Sequence, residues 1–204
     1  MALVRSKKAR CLFIARRNLA ASLLFGTATT EMEIAMTTAD ERLDQWLRDA
    51  HAMEEQAEQM LSALASRIEN YPDLKSQVER HLDETRQQAK RVRACIERRD
   101  GSTSTLKDTA GKIMATMQGM SGVFAGDEIM KGTLASYTFE HMEIVSYRVL
   151  AEAANIVGDE ETERVCLEIM AEEQAMADWL LENCTEIARQ YLSREELEMD
   201  EAKR

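Results

Sequence analysis

Acidic residues make up much of this chain, with 37 Asp and Glu among 204 residues, so the informative ones are those whose spacing sets them on an apolar helical stripe. Glu54 follows Leu47 by seven and Ala50 by four, and precedes Ala57 by three and Leu61 by seven, which turns it toward a core. Glu140 follows Tyr137 by three and precedes Ile144 by four and Tyr147 by seven, while Glu143 stands four residues from both Phe139 and Tyr147. Glu172 shares a stripe with Val165, Ile169, Met176 and Trp179; its neighbour Glu173 shares one with Cys166, Met170, Ala177 and Leu180, so either can face inward. Glu84 lies on a flank with Gln77, His81, Gln88 and Cys95 rather than at the centre of its apolar face.

A buried carboxylate without a partner is expensive, so acids converging from several helices need protons or cations between them. A pair of metal ions meets that need. Hard carboxylate oxygens with a nitrogen ligand added suit iron or manganese. The competing reading leaves some of these acids on a solvated rim. The three histidines, His51, His81 and His141, each fall within three residues of a candidate acid. A ligand must also aim at the ion, so they are read as supporting partners and not as ligands.

Positioning such a set requires long helices, and the composition supplies them. One proline and eight glycines leave few breakers, and no sheet is expected. From Thr37, apolar residues recur at three and four through Leu43, Trp46, Leu47, Ala50, Met53, Ala57, Met60, Leu61, Leu64 and Ile68, giving a helix over 38–69. Asn70-Tyr71-Pro72-Asp73 breaks it, and a second helix spans 73–99 with Leu74, Val78, Leu82, Thr85, Ala89, Val92 and Ile96 inward. Glycines and methionines alternate from Ser104 to Gly132, which reads as a crossover carrying one or two short helices. Helices over 133–157 and 160–190 follow, and residues 191–204 form a charged tail or short helix. The expected fold is all-α, a ferritin-like antiparallel four-helix bundle over 37–190.

The formal charge is −11, yet residues 1–30 hold six of the 26 basic residues and no acid. The remainder therefore carries 20 basic against 37 acidic residues, a net of −17, which repels nucleic acid and anionic lipid. Cys11, Cys95, Cys166 and Cys184 form no CxxC pair; a reducing compartment is the simplest reading, with the last three as core residues and a cytoplasmic location. Residues 1–36 are basic, then apolar. Arg16 and Arg17 interrupt any secretory apolar run, a twin-arginine or organellar signal matches in part, and translation starting at Met36 is the favoured reading. No run reaches the ~18 apolar residues that span a bilayer. Neither a Gly-x-Ser-x-Gly elbow nor a phosphate loop is present.

The segments DAHAMEEQAEQML, HLDETRQQAKRV, YTFEHMEIVSYRVLAEAA and IMAEEQAMADWL resemble the four helices of the bacterial YciE/YciF-type ferritin-like proteins, over residues 37–190. That resemblance implies a rubrerythrin-like di-metal centre of iron or manganese, homodimerisation and a link to stress, with no assigned reaction. It carries metal ligation to Glu54, Glu84, Glu140, Glu143 and Glu172, with Glu173 as the alternative to Glu172. Where a rubrerythrin-like pattern has histidine three residues after the acids of its second and fourth helices, this chain has Gln87 and Ala175, or Met176 counted from Glu173. A loaded centre would react with oxygen or peroxide. The rival reading is a metal-free helical stress protein that acts by dimerising or binding partners.

Overall fold

A computed structural model describes residues 38–100 and 128–197. Among them are four helices and no strand: α1 over 38–67, α2 Pro72–Asp100, α3 Glu128–Val157 and α4 Glu160–Glu196. Pro72 opens α2, where the missing N–H costs nothing and the fixed φ suits the first turn. The α3–α4 junction is tight because Gly158 takes φ +77. Its N–H reaches Asn155 O at 3.1 Å and the Asp159 N–H reaches Ala154 O at 2.9 Å, a Schellman closure. Asp159 then caps α4 by accepting from the Thr162 N–H at 3.1 Å.

Two apolar clusters form the core. One joins Leu43, Leu47 and Ala50 of α1 to Val92 and Ile96 of α2, Leu150 and Ala154 of α3, and Val165 and Ile169 of α4. The other joins Leu64 and Ile68 of α1 to Leu74 and Val78 of α2, Ile129 of α3, and Leu180 and Ile187 of α4. The first cluster thus holds the start of α1, the ends of α2 and α3, and the start of α4. Helices α1 and α2 run antiparallel, as do α3 and α4, while α2 and α3 run parallel. Parallel helices on either side of the α2–α3 connection are the mark of a ferritin-like four-helix bundle. The short helices expected in that connection lie outside the described residues, as do residues 1–37.

Near its far end α1 comes close to α3. A Cβ at Gly132 would stand 2.7 Å from Leu64 Cδ1, and Arg67 pairs with Glu128 at 2.8 Å. Some details depart from the periodicity. Trp46 is 38% exposed, because the α1 stripe is wider than the face its neighbours cover. Cys95 and Cys166 are buried as expected, but Cys184 is partly exposed. The fourth helix continues to Glu196 because Tyr191 is buried in the second apolar cluster. Among the described residues, no helix is long and apolar enough to cross a membrane.

Candidate metal centre

Between the two apolar clusters lies a polar layer. It contains Glu54 of α1, His81, Thr85 and Gln88 of α2, Ser136, Glu140 and Glu143 of α3, and Glu173 of α4, all buried. Each helix brings these groups in by placing them between apolar turns: Met53 and Ala57 flank Glu54, Leu82 follows His81, and Ile169 and Met176 bracket Glu173. The bundle's axis is therefore apolar at both ends and charged in the middle.

His81 is the hub of this layer. Its Nε2 donates to Glu140 Oε2 at 3.1 Å and lies 3.2 Å from Glu173 Oε2, while Nδ1 donates to Glu84 Oε2 at 3.1 Å. Burial alone would strip the imidazole of its second proton, but hydrogen bonds to Glu140, Glu173 and Glu84 outweigh it and raise its pKa. On the other side of the layer, the Tyr147 hydroxyl donates to Glu54 Oε1. Burial and the nearby Glu173 still push the Glu54 carboxyl up to about 8. Burial pushes Glu173 up to about 8 as well, against the hydrogen bond from His81. Glu143 rises well above the usual carboxylate range through burial and the proximity of Glu54, Glu173 and Glu140.

Even with these contacts the layer is short of donors. Glu54 Oε2, Gln88 Oε1 and Glu143 Oε1 are buried with no hydrogen-bond partner, one acceptor each from α1, α2 and α3, and Glu173 Oε2 has only the His81 Nε2 that Glu140 also shares. Three orphaned oxygens in a buried layer are costly unless a proton or cation is shared among them. His81, Glu140 and Glu173 also present ligand atoms that all lie within 4.8 Å of one another. This donor set, one imidazole with several carboxylates and an amide oxygen, fits iron or manganese.

Of the acids marked by sequence, Glu54, Glu140 and Glu143 reach this interior. Glu84 does not: its side chain is 39% exposed and holds His81 from outside. Glu172 is 35% exposed and pairs with Arg91, and it accepts from Gln88 Nε2 at 3.0 Å. Its neighbour Glu173 is the one that faces inward. Sequence reasoning set His81 aside as a supporting residue, yet it lies at the centre of the cluster. The signal for it was available in the row Gln77, His81, Glu84, Gln88, which runs along one side of α2. His51 is partly buried and 3.9 Å from Glu55, with burial lowering its pKa. His141 is exposed and stacks edge-to-face on Tyr137 with centroids 4.5 Å apart.

Residues 38–193 match the family described as a domain of unknown function, DUF892. Among solved structures, a Xanthomonas campestris protein is 42% identical, with a TM-score of 0.66 over 78% of this chain and 99% of its own. The Escherichia coli stress protein YciF is 24% identical, with a TM-score of 0.61 over 72% of this chain and 94% of its own.

Proposed function

The chain belongs to the DUF892 family, and from that footing we propose that its buried polar layer is a centre for two iron or manganese ions that reacts with oxygen or peroxide. The observation that carries this reading is the set of orphaned acceptors, Glu54 Oε2, Gln88 Oε1 and Glu143 Oε1, in the same buried layer as the His81–Glu140–Glu173 cluster. Glu54, His81, Glu140, Glu143 and Glu173 would hold the ions. The chemistry that such a pair supplies when bound is electron transfer to oxygen or peroxide. A stress-related role is consistent with the fold shared with the Escherichia coli stress protein.

The chain's own residues set the conditions for that chemistry. Glu84 fixes the ring of His81 through Nδ1, which turns Nε2 toward Glu140 and Glu173. Tyr147 orients Glu54. Arg91 keeps Glu172 out of the interior, and the apolar clusters above and below exclude water. Metal analysis of protein produced with iron and manganese tests the reading. About two ions per chain are expected by analogy with carboxylate bundles of this type, and almost none in a Glu54→Ala, Glu140→Ala double variant. A parent that stays empty after reconstitution defeats it.

A second reading, action through pairing with another copy, has its own observation. The outward side of α3 exposes Leu134, Met142, Val145, Val149 and Ile156, so this helix is apolar on both sides. Helices of that kind are normally covered all round.

A further inference from the structure

The polar layer is not equally deep on every side. On the α1–α3 side Glu54 is held by Tyr147, and both are fully buried. Toward the seam between α2 and α4 the buried groups are hydrogen-bonded to side chains that reach solvent. His81 is buried, yet its Nδ1 bonds the partly exposed Glu84 at 3.1 Å. Glu173 is linked outward through Gln88. The two hydrogens of the Gln88 amide serve two carboxylates, the buried Glu173 Oε1 and, at 3.0 Å, the partly exposed Glu172 Oε2. That orientation leaves Gln88 Oε1 as a buried acceptor with no partner. The Arg91 guanidinium, itself partly exposed, binds Glu172 and lies 3.8 Å from Glu168.

Resting on the reading of this layer as a metal centre, we infer that the ion enters along the α2–α4 seam and that Arg91 sets how fast it does so. A divalent cation that leaves water needs negative charge or lone pairs at each stage, because an unpaired ion in a low-dielectric interior is costly. The seam offers them in order of falling exposure: Glu168 and Glu172 at the rim, then Gln88 Oε1 and Glu173 inside. Arg91 opposes this gradient. Its guanidinium already occupies the rim carboxylates, so it repels an arriving cation and must release Glu172 before that oxygen is free. Arg91 is thus a positioning residue that acts through Glu172, and it trades speed of loading for a closed, charge-balanced surface in the metal-free protein.

The test uses the full chain, stripped with a chelator and mixed with Co²⁺ in a stopped-flow instrument, following the visible absorbance that Co²⁺ gains as water is exchanged for protein ligands. Arg91→Gln should load about tenfold faster than the parent, the low end of the range by which charges lining a cleft alter association, and reach the same final absorbance. Glu172→Gln, which keeps an oxygen for Gln88 and Arg91 but loses the charge, should load more slowly. Added salt should narrow both differences. Arg86→Gln removes a comparable cation, paired with Glu58 at 2.9 Å across the α1–α2 seam, and should load like the parent. Circular dichroism of each variant must show the parent's helicity, which separates a change of route from a change of fold. An Arg91→Gln rate equal to the parent's, or an equal acceleration by Arg86→Gln, overturns the route while leaving the metal centre standing. No Co²⁺ binding in the parent overturns both.

Discussion

His81 Nε2 lies 3.1 Å from Glu140 Oε2, both groups about 1% exposed, and this contact ties α2 to α3 at mid-bundle. It is the closest thing the metal-free interior has to a counter-ion for its acids. Removing it strands Glu140 and Glu173 beside Glu54 and Glu143. His81→Leu is predicted to destabilise the metal-free protein by about 3 kcal/mol, the usual penalty for breaking a buried pair. Urea unfolding in the presence of a chelator measures it, and a variant as stable as the parent would show that the contact contributes little.

Glu54→Gln tests the opposite side of the layer. The amide oxygen can still accept from Tyr147, and one of the acids that burial and Glu173 push up to about 8 is gone. The metal-free protein should be as stable as the parent or gain up to about 1 kcal/mol, while metal binding falls sharply. A large loss of stability without metal would mean that Glu54 serves mainly to hold the fold together.

How far the sequence foretold this layer depends on what each residue had to be compared with. Glu54, Glu140 and Glu143 were legible because each lies on the apolar stripe of its own helix. The choice between Glu172 and Glu173 was not, since adjacent residues sit about 100° apart and either can turn inward. Arg91, on another helix, decides it by taking Glu172. The burial of His81 was not legible for a related reason: the centre of a four-helix bundle lies between helices, so a flank of α2 becomes interior once α3 and α4 close over it. The reversed direction of α4 relative to α3 followed from the short Gly158 junction, whereas the parallel run of α2 and α3 needed the two apolar clusters to establish it.

Gly158 should resist substitution for a reason unrelated to space. A Cβ there meets nothing within 4 Å, but the backbone stands at φ +77. Gly158→Ala is predicted to cost about 1 kcal/mol through left-handed strain alone. Gly158→Asn should recover part of it, because asparagine tolerates that region better. Thermal unfolding of the two variants side by side checks the order.

Asp159 gives the end of the bundle a defined acid sensitivity. Burial opposes its ionisation, but the Thr162 N–H, Arg99 and Arg98 prevail and hold its pKa at about 2 instead of the usual 3.8. Arg98 Nη2 is 2.5 Å from Oδ1 and Arg99 Nη1 is 2.9 Å from Oδ2. A carboxylate whose pKa is lowered on folding stabilises the native state above its unfolded pKa. That contribution fades as pH falls from about 3.8 to about 2. After screening by solvent it should amount to about 1 kcal/mol. Asp159→Asn should lose that amount at pH 6 and show a flatter stability curve over the acid window; parallel curves for parent and variant would sink the assignment.

The outer side of α3 yields the last prediction, that two copies pair along it. Leu134 and Ile156 each lie eleven residues from Val145, so an antiparallel α3–α3 contact centred on Val145 sets Leu134 of one copy against Ile156 of the other. Such self-complementarity is what a twofold interface requires. Charge points to the same face. Residues 31–204 carry a net of −17, which drives copies apart, yet between Leu134 and Ile156 the exposed formal charges are Arg148 and Glu152, which cancel. Val145, 62% exposed, would sit on the axis and meet its own counterpart. Val145→Glu would place two like charges in contact at the centre of an apolar patch, and is predicted to shift the protein from dimer to monomer by light scattering. Thr138→Glu, on the same stripe but two turns from Val145, should shift it less. A parent that is already monomeric at high concentration would remove this face as a self-association surface.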